Sequence, residues 1–88
     1  MIRIAIVDDA DVICETIELF LKNFSKQNGV SIEFDSYYSG EEIIKRLQQS
    51  YFDCIFLDIE IGTKSGIDVS KFLRETQKNE TTEIIYVS

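Results

Sequence analysis

Four short apolar, β-branched runs alternate with three stretches of helical periodicity, and no other feature of this chain narrows its fold as much. The runs span residues 2–7, 30–38, 52–57 and 82–88. Between the first two, Ile13, Ile17, Phe20, Leu21 and Phe24 form one stripe of a helix over 11–27. Asn28-Gly29 ends that helix, since glycine takes the left-handed conformation a helix terminus needs. Ile32, Phe34 and Ser36 then share one face of a second strand. Ser39-Gly40-Glu41-Glu42 reads as a capping box opening a helix with Ile43, Ile44 and Leu47, which runs to about Ser50. Cys54-Ile55-Phe56-Leu57 is apolar without alternation, the pattern of a strand buried on both faces. Residues 58–66 read as a loop. A third helix, with Ser65 as N-cap and Val69, Phe72 and Leu73 inward, spans about 66–78. The order βαβαβαβ predicts an α/β fold, with a parallel sheet, right-handed crossovers and helices on both faces.

Composition excludes several functions. The 88 residues suit one domain with a thin margin of stability. A net charge of −7, with no basic cluster longer than Lys45-Arg46, argues against direct binding to nucleic acid or to an anionic membrane. The chain has no histidine, so His-dependent nucleophilic catalysis and His-ligated zinc are excluded. Any metal would be held by oxygens, which points to Mg²⁺ or Ca²⁺. Cys14 and Cys54 form no CxxC motif and read as small buried hydrophobes. They fit a reducing, cytoplasmic setting. No run approaches a membrane span, and Asp8-Asp9 interrupts the N-terminal apolar run too early for a signal peptide.

Two of the strands end in carboxylates, the first at Asp8-Asp9 and the third at Asp58. Open α/β sheets bind ligands beyond the carboxyl ends of their strands, where the strand order reverses. With strand order 2-1-3-4, that point lies between the first and third strands, and Asp8, Asp9 and Asp58 converge there. Taken singly, Asp-Asp after a strand is more often a helix N-cap, and a lone Asp more often a turn residue. Their conjunction at matching strand ends reverses those odds. Three adjacent carboxylates repel one another, and a divalent cation resolves the conflict. Mg²⁺ would also shield an incoming phosphoryl group, for which an aspartate can serve as nucleophile.

Ile4-Ala5-Ile6-Val7-Asp8-Asp9 resembles the opening strand and acidic pair of response-regulator receiver domains. Cys54-Ile55-Phe56-Leu57-Asp58-Ile59-Glu60 resembles the phosphoacceptor strand of that family. Gly66 stands where the family has a glycine ahead of its third helix, and Ser88 where it has a switch Ser/Thr. The resemblance covers the whole chain and implies the CheY-like, flavodoxin-like doubly wound fold, with residues 1–88 as a receiver fragment. It implies Asp58 as phosphoacceptor, with a sensor histidine kinase as donor. It further implies Asp9 as direct Mg²⁺ ligand, Asp8 as a ligand through water, the backbone carbonyl of Glu60 as a third protein ligand, and Ser88 as the hydroxyl that holds the phosphoryl group. Asp-Ile-Glu is most similar to regulators carrying a LytTR-type DNA-binding output, which implies a role in transcription regulation. Gly62 departs from the family's frequent proline. The family's strand-five lysine and its last two helices are expected beyond Ser88, as is any output domain.

Two other readings compete. Asp58-Ile-Glu-Ile-Gly-Thr63 also resembles the DxDx(T/V) motif of haloacid-dehalogenase-type phosphatases, but on that reading the motif belongs on the first strand and Asp8-Asp9 has no role. A receiver-like interaction module that is never phosphorylated would tend to lose part of the acidic triad. The expected protein is therefore a phosphoacceptor, not an enzyme with turnover. With a four-stranded sheet, Ile84-Ile85-Tyr86-Val87 is an edge, and part of the Ile13/Ile17/Phe20/Phe24 face meets water. The expected result is a homodimer or a domain-swapped oligomer of this chain.

Overall fold

The computed structural model describes residues 1–61 and 64–87, with the side chains of Lys64 and Ser65 left out. Gly62, Thr63 and Ser88 lie outside the described residues. The strands β1 (Ile2–Val7), β2 (Ile32–Tyr37), β3 (Cys54–Asp58) and β6 (Glu83–Val87) form one sheet in the order β2-β1-β3-β6. Every pairing is parallel, and Val7 stands opposite both Tyr37 and Leu57. This is the expected order, the fourth long strand being β6 because two short strands precede it.

Three helices connect the strands, α1 (Asp11–Asn28), α2 (Gly40–Leu47) and α3 (Gly66–Lys71). Gly29 ends α1 at φ 63°, and its N–H donates to the Ser25 carbonyl, the terminus the sequence predicts. Ser39 caps α2 by accepting from the Glu42 N–H at 3.1 Å. The reciprocal half of the box is displaced by one residue, because the Glu42 carboxylate accepts from the Tyr38 N–H. The helix stops at Leu47, three residues short of the expected end. The third helix does not stay regular. Phe72–Thr76 continue it as a π-helical turn, and Lys78 closes it in the left-handed conformation at φ 56°. There Asn79 N–H donates to the Leu73 carbonyl, and the Asn79 side-chain oxygen accepts from the Thr81 and Thr82 amides.

The core is divided by the sheet. On one face Ala5, Val7, Ile55 and Leu57 pack beneath Ile43, Leu47, Val69 and Leu73, with Phe52 and Ile61. On the other, Ile4 and Ile6 pack beneath Cys14 and Leu21 of α1. Two details of packing emerge here. The α1 stripe enters the core through Cys14 and Leu21, and the part of its face expected to meet water is Phe20, 61% exposed, and Phe24, 42% exposed. Their rings stack on each other, centroids 6.2 Å apart, instead of entering the core. Strand β3 also alternates after all, with Ile55 and Leu57 fully buried and Cys54 and Phe56 half-buried. One helix cannot span four strands, so α1 leaves the β3–β6 side of its face partly open, and Ile85 is 45% exposed there.

Candidate functional site: an acidic cluster at the ends of β1 and β3

The β1–β3 register fixes the geometry. Val7 pairs with Leu57, so the residues that follow, Asp8 and Asp58, leave adjacent strands at the same level. Asp8, Asp9 and Asp58 each place a carboxylate oxygen within 4.8 Å of the others. Asp8 is buried, Asp58 half-buried and Asp9 exposed, so the cluster opens to solvent on the Asp9 side.

Neither member of the acidic pair is spent on capping. The N-cap of α1 is Ala10, in extended conformation and without a side-chain cap bond. Asp8 instead folds back locally, its Oδ1 accepting from the Ala10 N–H at 2.9 Å. Its own N–H donates to the Tyr37 carbonyl at 3.1 Å, and its carbonyl accepts from the Cys14 thiol at 3.4 Å. Burial pushes the Asp8 carboxyl above the ordinary carboxylate range; the Ala10 amide opposes this, and Asp58 and Asp9 add to it by charge repulsion. Burial likewise pushes the Cys14 thiol up, so this group is a protonated donor.

On β3, the Asp58 carboxylate is oriented by the Glu60 N–H, which donates to Oδ1 at 3.2 Å. Here the expected loop over 58–66 is partly ordered as a hairpin. Strand β4 (Glu60–Ile61) pairs antiparallel with β5 (Lys64–Ser65). Ile61 anchors the hairpin by full burial in the core. Ser65 belongs to this hairpin, and its side chain, expected as the α3 cap, lies outside the described residues. Gly66 has a reason the sequence could only suggest. Its N–H donates to the Ile59 carbonyl, and a Cβ there would overlap the Asp58 carbonyl oxygen and stand 3.0 Å from Ile59 Cα. A residue without a side chain lets α3 begin directly against the backbone that carries Asp58.

The fold thus brings together Asp8, Asp9 and Asp58, and it places Glu60 two residues beyond Asp58 in the hairpin. Ser88 lies outside the described residues, one position after Val87, which pairs with Asp58. Sequence reasoning missed Cys14 as a neighbour of the site, and the only signal was its spacing of one helical turn from Ala10.

The model of the response regulator receiver domain matches residues 4–88. The chain belongs to that family. Receiver domains are parts of signalling proteins, and this membership removes the ground for the haloacid-dehalogenase-type reading. Stress response regulator protein 1 of Candida tropicalis is 33% identical over 87 residues, covering 98% of this chain and 31% of that protein. Regulatory protein VanR of Enterococcus faecium is 32% identical over 73 residues, covering 83% of this chain and 29% of that protein. The chain therefore spans less than a third of either relative. Among solved structures, chemotaxis response regulator CheY4 of Vibrio cholerae superposes with a TM-score of 0.82 at 22% identity, over 98% of this chain and 67% of that one. The complex of histidine kinase ThkA with response regulator TrrA gives 0.78 at 31% identity, over 98% and 67%. The receiver domain of sensor histidine kinase PA1611 from Pseudomonas aeruginosa, which holds a magnesium ion in its active-site cleft, gives 0.79 at 18% identity, over 98% and 66%. These likenesses establish the CheY-like parallel α/β fold. Among the described residues, no helix is long and apolar enough to cross a membrane.

Proposed function

We propose that this receiver takes a phosphoryl group from a sensor histidine kinase onto Asp58. The observation that carries the reading is the convergence of Asp8, Asp9 and Asp58 at the carboxyl ends of β1 and β3. The amide of Glu60 occupies Oδ1 of Asp58 and so presents Oδ2 as the attacking atom. The bond from Oδ2 to phosphorus forms as the P–N bond to the donor histidine breaks, and that nitrogen keeps the electron pair. A response regulator similar to this chain occurs in complex with a histidine kinase, which supports the choice of donor.

The cluster fits a hard divalent cation. Its donors are all carboxylate oxygens, spaced to share one ion; burial is the main cause of the raised Asp8 carboxyl, and the repulsion from Asp58 and Asp9 that adds to it is the conflict a cation relieves. Asp9 and Asp58 would bind Mg²⁺ directly, with the Glu60 carbonyl as third protein ligand and Asp8 acting through water. The ion supplies charge neutralisation for the transferring oxygens. The Ser88 hydroxyl would hold the phosphoryl group once formed. A DNA-binding output, in the cytoplasm, is the reading we favour for the whole protein, with no direct contact of this segment to DNA. The exposed edge of β6 and the open part of the α1 face favour pairing with a second copy when the 88-residue chain stands alone.

The test is incubation of the whole protein, including the strand-five lysine expected beyond Ser88, with a small phosphodonor, with and without Mg²⁺. One base-labile phosphoryl group per chain is expected, and chelation of Mg²⁺ should abolish its formation. A chain that stays unmodified under conditions that label a known receiver would leave the interaction-module reading in its place.

A further inference from the structure

The acidic pair sits on the turn between β1 and α1, so its position depends on how the first half of α1 is seated. Polar side-chain contacts tie that half-helix to the sheet. At the first turn, Cys14, 1% exposed, points its thiol at the Asp8 carbonyl, Sγ to oxygen 3.4 Å. One turn further on, Glu18 accepts from the Ser36 hydroxyl of β2 at 2.5 Å. The apolar contacts of this face, Ile17 and Leu21 against Ile4, Ile6 and Phe34, resist separation of helix and sheet but do not fix sliding or rotation. Directional bonds do. Rotation of α1 is otherwise poorly specified, because Phe20, Phe24, Val12 and Leu19 on its outer side are apolar as well.

We propose that Cys14 and the Ser36–Glu18 pair are positioning residues: they set the rotation of α1 and thereby where Asp8 and Asp9 stand relative to Asp58. The proposal rests on the metal and phosphoryl-transfer reading above and concerns how its ligands are held. Cys14 acts on Asp8 through the backbone, so its loss should displace the carboxylates without removing one. Asp9, exposed and one residue further along the same turn, follows any movement of that backbone. The Ser36–Glu18 contact reaches α1 from a different strand and constrains the same rotation, and because the Ser36 side chain also meets the Cys14 side chain, the contacts act as one linked group.

The experiment compares Cys14→Ala, Cys14→Ser, Ser36→Ala and, as a control, Leu21→Ala, which removes apolar packing from the same helix three turns away from the acidic pair. Each is titrated with Mg²⁺ while the amide resonances of Asp9 and Asp58 are followed, and hydrogen exchange of the Asp9 and Ala10 amides is measured without metal. Thermal unfolding confirms that each variant is folded at the temperature used. Cys14→Ala and Ser36→Ala should each weaken Mg²⁺ binding about threefold to tenfold and speed exchange at residues 9–10. Cys14→Ser, which retains a donor, should bind within about twofold of the parent. Leu21→Ala should lower the unfolding temperature most and leave Mg²⁺ affinity unchanged. If Cys14→Ala and Ser36→Ala bind Mg²⁺ and exchange their turn amides like the parent, the positioning role is wrong. If the parent itself shows no Mg²⁺ response, the metal reading fails, and this inference fails with it.

Discussion

The two faces of the sheet are built to different standards. The face beneath α2 and α3 is closed: Val7, Ile55, Leu57, Ile43, Val69 and Leu73 are each no more than 1% exposed. Among the described residues, the face beneath α1 buries Ile4, Ile6, Cys14 and Leu21, with Cys54 and Phe56 half-covered and Ile85 open. The same strands serve both, so the difference lies in coverage and not in sequence hydrophobicity. Two helices and the β4–β5 hairpin cover the first face, while a single helix covers the second. The closed face carries the rigid backing of Asp58, through Leu57, Ile61 and the start of α3. The open face carries Asp8 and Asp9 through α1.

Core substitutions should separate the faces most strongly. Leu57→Ala is expected to cost about 4 kcal/mol and Phe56→Ala, its half-exposed neighbour, about 2 kcal/mol, despite the larger side chain of Phe56. Urea unfolding of both variants measures this, and equal losses would show that the second face is as closed as the first. Gly66→Ala tests the backing of Asp58. The added methyl meets the Asp58 carbonyl and should destabilise by about 2 kcal/mol while shifting the Asp58 and Ile59 amide resonances. A neutral substitution there would mean that α3 can stand off β3.

Smaller effects concern charge and the open edge. The raised Asp8 carboxyl binds its proton more readily in the folded chain than in the unfolded one, so ionising it costs stability as pH rises from the ordinary value of 3.8 through the raised one. In metal-free buffer, Asp8→Asn should be more stable than the parent at neutral pH, with the advantage vanishing in acid below that ordinary value. An advantage independent of pH would remove burial and repulsion as its cause. Ile85→Lys should change monomer stability by no more than about 0.5 kcal/mol but abolish concentration-dependent association seen by sedimentation. A parent chain that sediments as a monomer over a hundredfold concentration range would overturn the expected pairing at β6.

Much of this was legible in the sequence. The alternation of parallel strands with helices and the Gly29 terminus follow from period and punctuation, while the order 2-1-3-4, and with it the convergence of Asp8, Asp9 and Asp58, was taken over with the doubly wound fold that the chain resembles. What was not legible depends on neighbours. Which part of the α1 face meets water was not legible, because that helix is apolar on two sides, and only packing decides that Cys14 and Leu21 enter the core while Phe20 and Phe24 stay exposed. The unbroken apolar run of β3 gave no hint that one of its faces is half-covered. The hairpin of Glu60–Ile61 with Lys64–Ser65 carries too few residues for a period. The reason for Gly66 needs the Asp58 backbone beside it, which sequence spacing implies but cannot locate.

Asp58 as the phosphoryl acceptor is the claim on which the rest depends. After reaction with a small phosphodonor and Mg²⁺, borohydride reduction converts an aspartyl phosphate to homoserine, and peptide sequencing locates the residue changed. The account predicts homoserine at position 58 alone, and none in the Asp58→Asn variant. Conversion at Asp8 or Asp9 in the parent chain, or continued labelling of Asp58→Asn, would contradict it.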